Sequence, residues 1–168
     1  MNDRVSASAP SGVRGRASFV AALILVIAAC ATPLSDADRA AAALYAQAAD
    51  TADQQIHAND HMLDATAGGE QDYRDFYHRW AEIEGTFVGS VRGLGFGPTL
   101  RADLDKVVTT YEAVRAVLQR LEADPHDTWG PTRGELHKAT ADAIQASNEL
   151  RAKVGLPSAG ADEHVGPS

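Results

Sequence analysis

Leu100, Leu104, Val107, Tyr111, Val114, Leu118 and Leu121 recur at alternating spacings of four and three without a break. At 3.6 residues per turn these positions fall on one stripe of a helix, and a stripe this regular has to be buried against other helices. The spacing predicts a helix over residues 98–122 that forms the seam of a bundle.

Three more helical patterns accompany it. The first starts after Ser35, a good N-cap, and runs through an alanine-rich stretch to about Ala65, where Gly68-Gly69 stops it. Its apolar stripe is Ala41, Leu44, Tyr45, Ala48, Ala52, Ile56, Met62 and Leu63. A second helix is predicted over residues 70–91, with Tyr73, Phe76, Trp80, Ile83, Phe87 and Val91 at spacings of three and four. A fourth, over residues 131–154, repeats the rule more weakly with Leu136, Thr140, Ala143, Ser147, Leu150 and Val154. Pro98 and Pro131 suit a first helical turn, where a missing N–H costs nothing. Thr132 with Glu135 offers an alternative capping box at the second of these starts. No strand alternation competes, and connections of roughly four to nine residues favour antiparallel neighbours. The expectation is an all-α, up-down-up-down four-helix bundle over residues 35–154, followed by a disordered Gly, Pro, Ser and acid tail at 155–168.

The first thirty residues follow a different pattern. Arg4, Arg14 and Arg16 against the single acid Asp3 make a positive n-region, and residues 17–29 form an apolar run ending in small residues. The run is too short for a transmembrane span, which needs about 20 apolar residues. Ile27-Ala28-Ala29-Cys30 closes it. This segment resembles the signal peptide and lipobox of a bacterial lipoprotein precursor. The resemblance covers residues 1–30 and implies removal of residues 1–29, a diacylglyceryl thioether on Cys30 as the new N-terminus, and a tether of residues 30–34 leading into the bundle. It also implies a cell-membrane location on the extracytoplasmic face. Two acyl chains would hold the protein firmly, where a single chain is only marginal.

Cys30 is the only cysteine, so a domain bound for an oxidising exterior has no disulfide and relies on its core. Losing residues 1–29 removes three arginines and one aspartate, moving the formal net charge from −8 to −10. So acidic a chain is a poor partner for nucleic acid, which demands clustered Lys and Arg. No phosphate loop, Gly-x-Ser-x-Gly or His-Glu-x-x-His signature is present, so neither an enzyme nor a cofactor is expected. The expected function is a non-enzymatic interaction or accessory module of the cell envelope, with an unidentified envelope protein as partner. A small-ligand or metal-binding lipoprotein is the alternative class.

Three sets of residues stand out. His57 and His61 sit one turn apart on the first helix among aspartates, a spacing that suits Zn2+ or Cu2+, although their arc lies opposite the apolar stripe. Glu84 falls by helical phase inside the aromatic face of the second helix, where an unpaired carboxylate is costly, with Tyr111 or Arg115 as expected partner across the bundle. The turn containing Arg92, Leu94 and Phe96, with Arg101 just beyond, returns to the end where the tether enters. Its arginines and apolar tips suit a headgroup region. The competing reading is that Leu94 and Phe96 fold back to cap the core.

Overall fold

A computed structural model describes residues 33–159. The leader, Cys30 and residues 160–168 lie outside the described residues. The bundle belongs to the second of two units into which the chain divides, residues 34–168.

Four helices, α1 (Asp36–Asp64), α2 (Glu70–Arg92), α3 (Pro98–Ala123) and α4 (Pro131–Val154), follow one another, with a 3-10 turn Pro125–Trp129 between the last two. No strand occurs among the described residues. Each helix packs on its sequence neighbour, and α1 closes the ring against α4 through a much thinner contact. Cross-helix partners show the direction: Arg120 pairs with Glu135, Lys106 with Glu149 at 2.6 Å, and Asp103 with Lys153 at 2.7 Å. Partner numbers rise on α4 as they fall on α3, so the two run antiparallel. The all-α four-helix bundle read from the periodicity is the observed fold.

The predicted seam of α3 is the middle of the core. Leu104, Val107 and Leu118 are wholly buried, and Val114, Leu121 and Leu100 nearly so. Around this row the core forms two lobes, one about Tyr45, Val91 and Leu150 and the other about Phe76, Trp80 and Leu121. Ile83 and Tyr111 touch both lobes.

Local chemistry sets the ends. Ser35 Oγ accepts the Asp38 N–H at 3.0 Å and caps α1. Pro98 and Pro131 open α3 and α4 behind Gly97 and Gly130. The alternative capping box does not form: Thr132 donates to Asp127, and Glu135 takes Arg120. A Cβ at Gly130 would displace the Asp127 carboxylate that holds Thr132. Gly155 ends α4 in the left-handed region, at φ 75°.

Three expectations are corrected. Leu44 and Met62, placed on the inward stripe of α1, are 55% and 45% exposed. The inward line runs instead through Ala41, Tyr45, Ala49, Ala52, Ile56, Asn59 and Leu63, and Leu44 and Met62 sit one residue, about 100°, off it. Asn59 occupies a place the hydrophobic pattern assigned elsewhere. Leu94 and Phe96, offered as exposed tips, are 9% and 7% exposed and belong to the core lobe around Val91. Burying them against apolar neighbours gains more than exposing them, about 25 cal/mol for each Å2 removed from water. The turn's arginines find partners within the bundle, Arg92 on Glu112 and Arg101 on Asp105 at 3.0 Å. Finally, the tail does not begin at Gly155. Leu156 packs against the core, Arg151 donates to the Pro157 carbonyl at 2.9 Å, and the Ala159 N–H donates to Asn148 Oδ1 at 2.7 Å.

One further tie joins α1 to the α2–α3 turn: the Gly97 N–H donates to Asp38 Oδ1 at 2.7 Å. That bond, and after it the Ser35 hydroxyl, hold the Asp38 carboxyl below its ordinary range. A carboxyl depressed in the fold contributes stability above its unfolded value, and that contribution is lost as pH falls through the folded value. The urea midpoint of the wild type should therefore fall between neutral pH and about pH 3 by more than that of Asp38→Asn. For the core, Leu104→Ala or Leu118→Ala should each cost about 2 to 5 kcal/mol in chemical denaturation. A midpoint unchanged from wild type would place that row on the surface.

Candidate functional site

The bundle interior carries a line of polar groups between α1, α2 and α4. Glu84 is 3% exposed, and the donor that reaches its Oε1, at 3.0 Å, is Trp80 Nε1, one turn back on the same helix. The i, i+4 relation places the two side chains over one another without help from another helix. Arg115 is exposed, its guanidinium lying over the α2 backbone, where a Cβ on Gly85 would come within 3.3 Å of it. Tyr111 stands near Glu84 and packs its ring on Phe87, with centroids 4.7 Å apart. Burial first, and the Glu84 charge second, push its hydroxyl far above the ordinary tyrosine range. It therefore stays a neutral donor and acceptor.

Tyr45 of α1 reaches across to α4, its hydroxyl 2.8 Å from Ser147 Oγ. Burial raises its pKa, opposed by the bonds to Ser147 and Arg151. Arg151 itself is 6% exposed, an unusual place for a guanidinium. Its Nη1 is satisfied by the Pro157 carbonyl, whereas its Nε is buried without a hydrogen-bond partner, as is Thr140 Oγ1 three turns earlier on α4. These groups, with Trp80, Glu84, Phe87 and Tyr111, wall a cavity between α1 and α4. The space open to a water's centre is about 20 Å3, enough for about one water.

Asn59, which periodicity did not single out, is the other buried polar group of consequence. Its Nδ2 donates to the Phe76 carbonyl at 3.0 Å and its Oδ1 accepts from Arg79 Nε at 2.8 Å. The signal for it was available: a polar residue three after Ile56 and four before Leu63, in phase with the buried line.

His57 and His61 are exposed on α1. Among the described residues no group of three or more His, Cys, Asp or Glu is placed to hold a metal ion. Arg92 and Arg101 lie at the end where α1 begins, in the ion pairs described above, and Leu94 and Phe96 point inward beneath them. Comparisons with protein-family models, with curated proteins and with solved structures find no match to this chain.

Glu84→Ala should leave the buried Trp80 N–H without its acceptor and cost about 1 to 3 kcal/mol, whereas Glu84→Gln, which keeps an oxygen there, should cost less. Equilibrium unfolding of both variants checks the order, and equal midpoints for wild type and Glu84→Ala would contradict it.

Proposed function

We propose that this chain is a lipid-anchored, extracytoplasmic helical-bundle protein that serves as a non-enzymatic interaction or accessory module of the bacterial cell envelope. The observation that carries the reading is Ile27-Ala28-Ala29-Cys30 at the end of an apolar run, five residues before the capped start of α1. Among the described residues no helix is long and apolar enough to cross a membrane. The proposed anchor is the acylated Cys30.

With residues 31–34 as the only tether, and at about 3.5 Å per extended residue, the start of α1 stays within roughly 15 Å of the anchored cysteine. The turn containing Arg92 and Gly97 is tied to that same end through Asp38. Its arginines can face lipid phosphates, while Leu94 and Phe96 serve the core rather than the bilayer. The opposite end carries Glu70, Asp72, Asp124 and His126, braced by the His126–Glu70 pair at 3.2 Å and by Arg74 on the Glu122 carbonyl at 2.9 Å. This acidic end is the surface most available to an envelope partner. A second reading, a small-ligand-binding lipoprotein, is supported by the cavity where Arg151 Nε and Thr140 Oγ1 have no hydrogen-bond partner.

Expression of the full chain in a bacterial host with a clickable fatty acid tests the anchor. The wild type should incorporate the label and fractionate with membranes, and Cys30→Ala should accumulate as an unlabelled, longer precursor. Mass spectrometry finding an unmodified mature chain that begins at another residue would overturn the reading.

A further inference from the structure

We propose that the uncharged outer side of α1 is a dimer interface, on which a second copy of this chain packs with its own α1 parallel and in register. The parallel orientation rests on the anchored reading above, whereas the face itself does not depend on it.

α1 has three sides. One is the inward line through Tyr45, Ile56 and Leu63, and a second collects Asp50, Asp53, His57, Asp60 and Asp64. The third carries Leu44, Gln47, Thr51, Gln55, Ala58 and Met62, all exposed and within about 80° of one another at about 100° per residue. Ala37 and Ala40 extend it to the first turn. Its spacings are all of three or four, the rule by which one helix meets another along its length. Leu44 and Met62, the large apolar side chains exposed among the described residues, stand in one line about five turns apart.

Towards α2 this side opens into a groove of about 310 Å3, with Ala48, Ile83, Phe87 and Leu94 among its lining, and no residue lining it is charged. Its hydroxyls are already bonded to their own helices. Thr51 donates to the Gln47 carbonyl at 2.8 Å, and Thr86 and Ser90 donate to the Glu82 and Thr86 carbonyls at 2.9 Å. Covering the face therefore strands no hydroxyl proton. Gln47 and Gln55 each carry a donor and an acceptor on one amide, so the same residue of a second copy satisfies each across a two-fold axis.

Charge favours a second copy as the occupant. The chain carries a formal net charge of −8, and −10 once residues 1–29, with three arginines and one aspartate, are removed. Two such chains repel wherever their acids meet. On the side bearing Leu44 and Met62 they touch without opposing acids, and a basic partner finds no acid there to pair with.

Size sets the strength. From Ala37 to Met62 the stripe is about 38 Å long at about 1.5 Å per residue, and one helix, about 10 Å, wide. That footprint of roughly 400 Å2 is about half the 800 Å2 that each partner gives to a stable complex, so the pair is weak between free chains. Confining copies to one surface raises their effective concentration and offsets that weakness. The short tether also brings the same end of every bundle to the surface, so a two-fold axis along the bundle pairs α1 with α1 in one direction.

The test is crosslinking of the full chain in membranes of a bacterial host with a short bismaleimide. Acylation of Cys30 leaves an introduced cysteine as the free thiol, and the parent chain serves as the blank. Thr51→Cys and Leu44→Cys should each give an adduct of twice the chain mass in excess of the parent. Asp50→Cys, about 100° round the helix from Thr51, should give at most about a tenth as much. Adding Leu44→Asp to Thr51→Cys sets two carboxylates face to face and should lower the adduct at least about tenfold. Its melting temperature should stay that of Thr51→Cys, because Leu44 is 55% exposed in the single chain. Leu44→Cys and Met62→Cys chains of different length, coexpressed, should form like pairs and no mixed pair.

The interface is overturned by no adduct above the parent, by equal yields at residues 50 and 51, by Leu44→Asp leaving the yield unchanged, or by an adduct of the mass of a different protein. A mixed pair between residues 44 and 62 overturns the parallel register. Fatty-acid labelling of the same chains reads the anchor separately: label without a Thr51→Cys adduct overturns the pairing alone, and an adduct without label overturns the anchor alone.

Discussion

The row of leucines and valines on α3 is the surface on which the other helices are organised. α2 and α4 pack directly against it, and with a single cysteine in the sequence there is no internal disulfide to share the task. Fully burying one such side chain contributes about 1.5 to 3 kcal/mol, so a continuous row of them fixes which face of α2 and α4 turns inward. The aromatic residues of α2 then complete two lobes of core joined through Ile83 and Tyr111.

α1 is placed by other means. Its inward line is largely alanine, which buries little apolar area and specifies a position poorly. Three polar contacts spaced along its length do the specifying: Asp38 on the Gly97 N–H, Tyr45 on Ser147, and Asn59 on the Phe76 carbonyl. Each requires one register, because a shift of a single residue rotates the helix by about 100° and moves all three away from their partners. Buried hydrogen-bonded groups of this kind set specificity more than net stability. The consequence is a helix fixed in orientation yet thinly packed on α4, and the interior cavity lies along that seam.

This arrangement gives the two ends of the bundle different characters. At the end where α1 begins, the Asp38 tie draws the α2–α3 turn inward and sheathes Leu94 and Phe96, leaving a surface of paired arginines beside the proposed anchor. At the other end, acidic residues and histidines surround the closing turns, with Arg74 capping the last carbonyls of α3. A tethered module needs one end compatible with a headgroup layer and another free for a partner, and the polarity of the bundle is consistent with that use.

The helices and the seam of α3 were legible in the sequence because they are local. Spacing of four and three, Ser35 as a cap, Pro98 and Pro131 at first turns and Gly155 at an end each act within a few residues of where they stand. The burial of Glu84 was also readable by phase, since helical phase is set by the chain itself. What tertiary structure decided were questions of which neighbour. Leu44 and Met62 face out, one residue off an inward line whose remaining place is taken by Asn59, which has two partners on α2. Leu94 and Phe96 turn in because the core beneath the turn has room for them. Glu84 accepts from Trp80 on its own helix, and Arg115 lies over Gly85, where the closeness of α2 to α3 sets its place. The fold-back of residues 156–159 was invisible in composition because it depends on Arg151 and Asn148, which bind those residues only once α4 is in place. Periodicity reports the preferences of a single helix, and the pairing of polar groups between helices exists only after the bundle has closed.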